Sequence, residues 1–262
     1  MIAKFVQYAT FVIALLAVSL ANAQSAKADM LLYCGITMVR PMAEITQIFE
    51  KRENVKIAIS QGGSDDLYQA AKRSGVGDFY LPGEPTYRAL YLKEGLLGDF
   101  VTIGYNQMAL MVQKGNPKRI KADPHEVLRQ DLTIILGNAT SGSVGMGSKE
   151  ILDKLGIYPK AIKMAAFLSP DSRSLVNAMK KNEADLTMNW RAVGFFADNA
   201  ATVDTIDLDP RIAKPQALQL TLLKSSKNPE LARRFMALAS GDEGQAIFRK
   251  YGFLDNKTII GR

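Results

Sequence analysis

The feature that most constrains the fold of this chain is a strand–turn–helix pattern that occurs twice near its start. Residues 30–33 form a short apolar run, which predicts a buried strand, and after Gly35 the residues Ile45, Ile48 and Phe49 recur at helical spacing. A second strand is predicted over 55–60, and two glycines separate it from a helix that begins near 64. A chain that alternates strands and helices in this way favours parallel sheets covered by helices.

A hydroxyl side chain lies in each of these turns, where the helix begins. Thr37 precedes a helix whose first turn suits Pro41, and Ser64 opens the second helix. Unpaired N–H groups and the positive end of the dipole make a helix N-terminus an anion site, and ligands of open α/β sheets bind at this edge. The turns therefore predict an anion site. Ordinary helix caps are the alternative, because Ser and Thr are preferred there in any case.

The alternation of strands and helices continues through the rest of the chain. Further strands are predicted over 77–81, 108–112, 133–136, 163–166, 185–190, 203–208 and 217–223. Helices are predicted over about 85–94, after the glycine-rich loop 137–145, up to 181, and near 229–239 and 242–251.

The first residues are typical of a secretory signal peptide rather than of the fold. Lys4 is followed by an apolar stretch over 8–20 and by a small-x-small cleavage site, Ala21-Asn22-Ala23. An uncleaved membrane anchor is the alternative, but the apolar stretch is shorter than the roughly 20 residues that a spanning helix needs. We expect a signal peptide over 1–23 and an exported protein.

The composition argues against several function classes. The formal charge of +7 favours anionic ligands in general, but basic residues come at most in adjacent pairs, without the aromatic-studded basic face of nucleic-acid binders. Cys34 and His125 are the only residues of their kinds, which leaves little material for a zinc site or a Ser-His-Asp triad. We expect Cys34 to pack as a small apolar residue and His125 to lie at the surface or cap a helix. An exported enzyme is therefore the weakest of the function classes.

Several motifs occur along the chain in an order that resembles a known family. They are Gly62-Gly63-Ser64, GDFYL at 77–81, VQKGNP at 112–117, the helix that starts near Gly145, and the C-terminal segments 224–229 and 242–253. Together they resemble the type-II periplasmic solute-binding proteins of ABC importers, and within them the molybdate- and tungstate-binding family. The resemblance covers the whole mature chain and implies a periplasmic location.

The resemblance implies an α/β fold with two lobes, each a mostly parallel sheet flanked by helices, and a cleft between the lobes. We expect the first lobe over 29–105 and 226–262 and the second lobe over 106–225. Ligand binding is expected to close the lobes about a hinge near the crossover segments. We expect the protein to be a monomer.

The resemblance also implies the residues of the site. The family holds a tetrahedral oxyanion with hydroxyl and backbone N–H donors, without a metal, a cofactor or a neutralising salt bridge. Carried over by position, the hydroxyls fall on Thr37 and Ser64, and the backbone donors fall on Val144 and Ser172. Trp190 stands where the family has a tyrosine, and a place in the core or between the lobes is the alternative for it.

Arg40, Arg173 and Arg191 lie near these positions in the sequence and are further candidates for anion contacts. Because arginine also suits carboxylates and phosphate esters, the identity of the anion stays open. The predicted function is capture of a small molybdate- or tungstate-like oxyanion for delivery to an ABC importer permease. The alternatives are a ligand-sensing subunit for a membrane sensor kinase, and a binder of a carboxylate, a phosphate ester or a sulfur oxyanion.

Overall fold

The computed structural model describes residues 28–255 together with 258 and 259. The signal peptide expected over 1–23 lies outside these residues. In the described part, the chain forms two five-stranded sheets with helices packed on them, and the predicted two-lobed α/β fold is confirmed.

The first sheet contains β1 (Met30–Gly35), β2 (Ile57–Gly62), β3 (Phe79–Leu81), β4 (Leu97–Asn106) and β10 (Gln216–Leu223). Its strand order is β2–β1–β3–β10–β4. The first three strands in this order pair in parallel, and β10 runs antiparallel to both of its neighbours.

The second sheet contains β5 (Met108–Gln113), β6 (Ile134–Gly137), β7 (Phe167–Ser169), β8 (Leu186–Trp190) and β9 (Val203–Asp207). Its order is β7–β6–β8–β5–β9, with β5 antiparallel to its neighbours. The two sheets therefore have the same arrangement of strand directions.

We call each sheet with the helices that pack on it a lobe. The helices of the first lobe are α1 (Val39–Glu53), α2 (Ser64–Ser74), α3 (Pro85–Tyr91), α9 (Pro229–Ser240) and α10 (Asp242–Lys250). Those of the second lobe are α4 (Ser143–Lys154), α5 (Tyr158–Met164), α6 (Ser172–Lys180), α7 (Arg191–Gly194) and α8 (Ala197–Ala200). Short 3-10 helices occur at Ile36–Met38, Leu92–Glu94 and Pro124–Leu128.

Helix α1 shows how the apolar spacing of the sequence sets the packing. Its buried side chains include Met42, Ile45 and Phe49, which lie on one face of the helix. Phe49 meets Phe235 of α9 edge to face, with ring centroids 5.2 Å apart. Truncating a buried phenylalanine such as Phe49 to alanine costs about 3–5 kcal/mol of stability. This contact ties the C-terminal helices to the first lobe.

In the described residues the chain passes between the sheets twice. β4 continues into β5 through Gln107, and the segment 208–215 leads from β9 to β10. Gln107 Nε2 donates to the Leu208 carbonyl at 2.8 Å, so the two crossing segments touch. Because β10 pairs with β3 and β4, residues 216–223 belong to the first sheet and not to the second lobe, in which the expected range 106–225 placed them. An apolar strand carries no signal for which sheet it joins.

One strand was predicted at the wrong place and another was missed. In the range 163–166, expected to be a strand, the first two residues end α5, and the strand follows at Phe167–Ser169 as β7. A short apolar run cannot distinguish a helix end from a strand. The ten-residue strand β4 had not been predicted, because Gly98 and Gly104 interrupt its alternation and its pairing with β10 is irregular.

Candidate functional site

A small cavity of about 30 Å³ lies between the lobes, and we call it the cleft pocket. The first lobe lines it with the turn after β1, the turn between β2 and α2, and Gly83, two residues after β3. The second lobe lines it with the first residues of α4 and α6. Its lining residues are Gly35, Ile36, Thr37, Met38, Gly62, Gly63, Ser64, Gly83, Gly142, Ser143, Val144, Pro170, Asp171 and Ser172. Strand ends from both sheets thus meet at one site.

Three helices begin at the cleft pocket, and each has a serine as its first residue: Ser64 in α2, Ser143 in α4 and Ser172 in α6. The first N–H groups of a helix have no partner within it, and the dipole places about half a positive charge there. Among the described residues lining the pocket there is no lysine or arginine and one carboxylate, Asp171, which caps α6 by accepting from the Ser174 N–H at 2.8 Å. The pocket therefore offers partial positive charge from neutral groups.

Two of these serines accept a hydrogen bond from a residue of their own lobe that lies at or just after the end of a strand. Ser64 Oγ accepts from the Gly83 N–H at 3.0 Å, and Ser143 Oγ accepts from Trp190 Nε1–H at 3.2 Å. A serine hydroxyl has one donor and two acceptor positions. Each serine therefore keeps its own O–H available for a ligand. The hydrogen bond that it accepts from the N–H group helps to fix the position of its oxygen.

The hydroxyls of Thr37 and Ser172 meet across the cleft. Thr37 Oγ1 donates to Ser172 Oγ at 3.5 Å, which is long for a bond between hydroxyls and correspondingly weak. The start of α6 is held from behind, because Asn189 Nδ2 donates to the Ser172 carbonyl at 3.0 Å. An acceptor that enters the pocket can thus gain both hydroxyls at the cost of one weak bond.

Four of the predicted site residues line the cleft pocket: Thr37, Ser64, Val144 and Ser172. Trp190 lies behind the pocket and reaches it through the Ser143 hydroxyl. Its side chain is 1% exposed and sits between the lobes, with Glu84 and Met108 among the residues around it. The indole is therefore placed to position a donor rather than to touch a ligand in this cavity.

Two residues that the sequence reasoning did not single out lie at the centre of the site. Ser143 occupies the same first helical position as Ser64 and Ser172, and this shared position is the signal that could have identified it. Gly83 has no such signal, because its importance comes from the other lobe. A Cβ on Gly83 would lie 2.3 Å from Ser143 Oγ, so glycine is needed for the lobes to approach this closely.

Two of the candidate arginines connect the lobes beside the cleft pocket. Arg40 of α1 forms a two-pronged ion pair with Asp198 of α8, with Nη2 and Oδ2 2.9 Å apart, and lies over the Phe196 ring at 4.5 Å. The hydrogen bond from Arg40 holds the pKa of Asp198 well below its usual range. Arg173 of α6 donates from Nη2 to Gln61 Oε1 of β2 at 2.7 Å.

Arg191 also joins the lobes, but away from the cleft pocket. Its guanidinium donates to the Asp207 carboxylate at 2.8 Å and to the Gly252 carbonyl of the first lobe, and it lies over the Phe195 ring at 4.3 Å. The three arginines thus bind protein partners in this arrangement, and none of them lines the cleft pocket.

The remaining candidates have structural surroundings. Cys34 is fully buried, and burial raises the pKa of its thiol well above the usual range. The His125 N–H binds the Asp123 carboxylate at 2.9 Å at the start of the 3-10 helix. Over the described residues, no group of three or more His, Cys, Asp or Glu is placed to hold a metal ion. No helix within the same residues is both long enough and apolar enough to cross a membrane.

Comparison with known families agrees with this arrangement of lobes and cleft. Residues 30–254 match the family described as bacterial extracellular solute-binding proteins. The chain belongs to this family. The match runs from β1 into the C-terminal segment that follows α10, so both sheets and the helices that pack on them are included.

Individual relatives are distant. A putative binding protein from Haemophilus influenzae is 21% identical over 233 residues, covering 88% of this chain and 92% of the relative. The molybdate-binding protein ModA of Mycobacterium tuberculosis is 23% identical over 218 residues, covering 79% of this chain and 78% of the relative. The solved structure of the sulfate-binding protein SubI from Mycobacterium tuberculosis matches with a TM-score of 0.74 at 14% identity, covering 88% of this chain and 89% of SubI. The structural match shows a shared fold.

Proposed function

We propose that this solute-binding protein captures a small tetrahedral oxyanion in the cleft pocket and delivers it to an ABC importer from the periplasm. The observation that carries the proposal is the convergence of three helix N-termini and four hydroxyls on one pocket with no cation among its described lining residues. Such donors stabilise a negative charge without the desolvation cost of burying a full cation. Relatives named for molybdate and sulfate, which are both tetrahedral oxyanions, support this ligand class.

In this proposal each lobe supplies donors of the same kind. Ser64 donates its O–H from the first lobe, and Ser143 does so from the second, each while accepting an N–H from behind. The hydroxyls of Thr37 and Ser172 turn from one another to the anion. Val144, the second residue of α4, gives its backbone N–H, since the first turn of a helix leaves these groups unpaired.

The division of donors between the lobes couples binding to closure. An anion that contacts both sets stabilises the arrangement in which the lobes meet, because only that arrangement offers all of the donors. The crossing segments at Gln107 and Leu208 are the proposed hinge, since in the described residues they are the connections between the sheets.

Asp171 bears on which anion binds. Asp171 is a lining residue of the pocket, and the negative charge of its carboxylate would repel an oxyanion that carries no proton, such as molybdate or sulfate. A carboxylate oxygen can instead accept a hydrogen bond from a protonated phosphate oxygen, and a phosphate ester retains part of its second proton near neutral pH. Asp171 therefore favours phosphate or a phosphate ester as a second candidate ligand.

The partner is a further part of the proposal. We propose that the protein acts as a monomer and presents its loaded, closed form to the permease of an importer. A sensor kinase ectodomain is the alternative partner. Genes for a permease and an ATPase beside the gene for this protein would support import, whereas a neighbouring sensor kinase gene would support sensing.

The test is a thermal-shift screen of the mature protein with molybdate, tungstate, sulfate, thiosulfate, phosphate and small carboxylates. At least one tetrahedral oxyanion should raise the melting temperature, and small-angle scattering with that anion should show compaction. Stabilisation by carboxylates alone, with none by any oxyanion, would contradict the proposal. The same screen on Ser64→Ala serves as the control for the site, because stabilisation at the cleft pocket should be weakened in it.

A further inference from the structure

A second cavity, of about 210 Å³, lies between the lobes next to the cleft pocket, and we call it the side cavity. Ile36, Thr37 and Ser172 line both cavities, so the hydrogen bond between the last two stands between them. At 3.5 Å this bond is weak, and it joins two small side chains. A ligand that offers better partners to both hydroxyls therefore opens a passage from one cavity to the other.

The side cavity differs from the cleft pocket in carrying full charges. Its lining includes the cations Arg40, Arg173 and Lys180 and the carboxylate of Asp198. Arg40 and Lys180 both contact Asp198, the latter with its Nζ 3.2 Å from Oδ2. Arg173 instead binds the neutral amide of Gln61, and in the described part of the chain no ion pair to it occurs. The charged lining therefore has a positive excess that suits a second anionic group.

The other walls of the side cavity are apolar and buried. Val176, Val193 and Phe196 line it and are at most 6% exposed. A cavity of about 210 Å³ has room for several heavy atoms. Carbon atoms next to these walls would be removed from water, which is favourable.

We propose that the ligand is a small organic molecule with two acidic ends: a phosphate, phosphonate or sulfonate head in the cleft pocket and a carboxylate in the side cavity against Arg173. This inference rests on the proposed function, because the head occupies the same site. The planar guanidinium of Arg173 can donate two parallel hydrogen bonds to the two oxygens of a carboxylate. The amide of Gln61 has a single, uncharged acceptor oxygen, so it is a weaker partner for Arg173. An inorganic oxyanion would bind in the cleft pocket alone and would not contact the cations of the side cavity.

The test is titration calorimetry on the mature protein with matched probes. Phosphoglycolate, phosphonoacetate and sulfoacetate carry both acidic groups, and phosphate, sulfate and molybdate carry the head group alone. We expect at least one of the three organic probes to bind at least about tenfold more tightly than the inorganic anions, because it adds a charge-assisted hydrogen bond to Arg173. Arg173→Gln should reduce that advantage to within about twofold, whereas the loss of its bond to Gln61 would weaken the binding of all of these anions alike.

Two further variants keep the result interpretable. Arg211→Gln removes the same charge from an exposed arginine that pairs with Asp209 and lines neither cavity, and it should change no affinity. Asn177→Phe adds an apolar ring from an exposed position on α6 that lines the side cavity. It should lower the affinity for the organic probe and leave the affinity for the inorganic anions unchanged. This variant therefore tests the side cavity even if Arg173→Gln disturbs the contact between the lobes.

The outcomes separate this inference from the proposed function. Inorganic anions that bind as tightly as the organic probes would overturn the inference and leave the oxyanion site intact. An organic probe that is preferred equally by the parent, Arg173→Gln and Asn177→Phe would also overturn it, because the side cavity would then contribute nothing. If neither kind of oxyanion binds, both the inference and the proposed function are wrong.

Discussion

The two lobes reach the cleft pocket by the same route but hold their serine hydroxyls in different ways. Each sheet has the same order of strand directions, and each sends helix N-termini to the pocket. In the first lobe, the residue that binds Ser64 is Gly83, which follows β3 and donates its backbone N–H. In the second lobe, the residue that binds Ser143 is Trp190, which ends the corresponding strand β8 and donates its indole N–H.

This difference separates two properties of the site. A backbone donor is kept by every residue except proline, so the bond to Ser64 depends on how closely the chain can approach. A side-chain donor is removed by a single substitution, so the bond to Ser143 is open to change. We therefore expect the first lobe to control whether the lobes can meet, and the second lobe to tune which ligand is preferred.

The largest effect is expected from Gly83→Ala. The φ of Gly83 is not positive, so alanine is compatible with its backbone, but the added Cβ would meet Ser143 Oγ and Cβ of the other lobe at 2.3 and 3.1 Å. Overpacking of this kind costs up to about 3 kcal/mol, which corresponds to roughly a hundredfold loss of affinity for the anion found in the screen. Calorimetry measures the loss, and small-angle scattering should show that compaction no longer occurs.

A second substitution tests whether the clash lies between the lobes. Gly83→Ala combined with Ser143→Gly removes the atoms that the new Cβ would meet, so compaction with ligand should return even though one hydroxyl is lost. If Gly83→Ala binds as tightly as the parent protein, the approach at this position does not limit closure.

The next effect concerns the residue after Gly83 and appears in stability rather than in binding. Glu84 is 3% exposed, and its Oε1 has no hydrogen-bond partner among the residues that the structure describes. Burial, with a smaller contribution from the nearby Glu150 carboxylate, raises the pKa of Glu84 from 4.5 to about 7. Between these values the unfolded chain loses this proton and the folded chain keeps it, so rising pH favours unfolding through this group.

We therefore expect Glu84 to lower the free energy of unfolding of the parent protein by up to about 3 kcal/mol as the pH rises from about 4.5 to 7. Above that range the contribution of Glu84 should no longer change with pH. Glu84→Gln should remove this dependence. Urea unfolding at several pH values measures it. Glu150→Gln is the control, since it removes an exposed carboxylate next to Glu84 and should lower the effect only slightly. Parallel curves for the parent and Glu84→Gln would show that Glu84 is ionised in the folded protein.

Ser64→Ala tests the donor of the first lobe directly. It removes a hydroxyl from a buried site and leaves the Gly83 N–H without its acceptor. Loss of a hydrogen bond to a charged ligand costs about 1.5–3 kcal/mol, or roughly ten- to a hundredfold in affinity. Ser148→Ala is the matched control, because Ser148 is equally buried but donates to the Val144 carbonyl within α4. Equal affinities for both variants would mean that Ser64 only starts its helix.

The sequence predicted those parts of the site that depend on local structure. Thr37, Ser64 and Ser172 come at helix starts after strands, and the spacing of apolar residues together with turn chemistry is enough to place them there. The parallel pairs of the two sheets likewise follow from alternating elements, whereas the antiparallel directions of β5 and β10 do not. What these residues do for a ligand stays a prediction until binding is measured.

The sequence could not predict what depends on contacts between the lobes. The importance of Gly83 comes from Ser143, which lies sixty residues away in the chain and in the other lobe. The assignment of β10 to the first sheet and the pairing of Arg40 with Asp198 are of the same kind. The sequence does show that Ser143 lies near the start of a helix, but nothing in it indicates that the indole of Trp190 would donate to the Ser143 hydroxyl.

The smallest effect is expected from Trp190→Phe, which keeps an aromatic ring and removes the indole N–H from Ser143. A neutral hydrogen bond is worth about 0.5–1.5 kcal/mol, so we expect about a fivefold loss of affinity for the ligand. Because a smaller ring in a buried site also lowers stability, the decisive measurement is a double-mutant cycle with Ser143→Ala. If the indole acts by orienting the Ser143 hydroxyl, Trp190→Phe should change affinity little once that hydroxyl is absent. Full additivity of the two losses would show instead that Trp190 supports the second lobe independently of Ser143, and the proposed difference between the lobes would then be one of packing and not of hydrogen bonding.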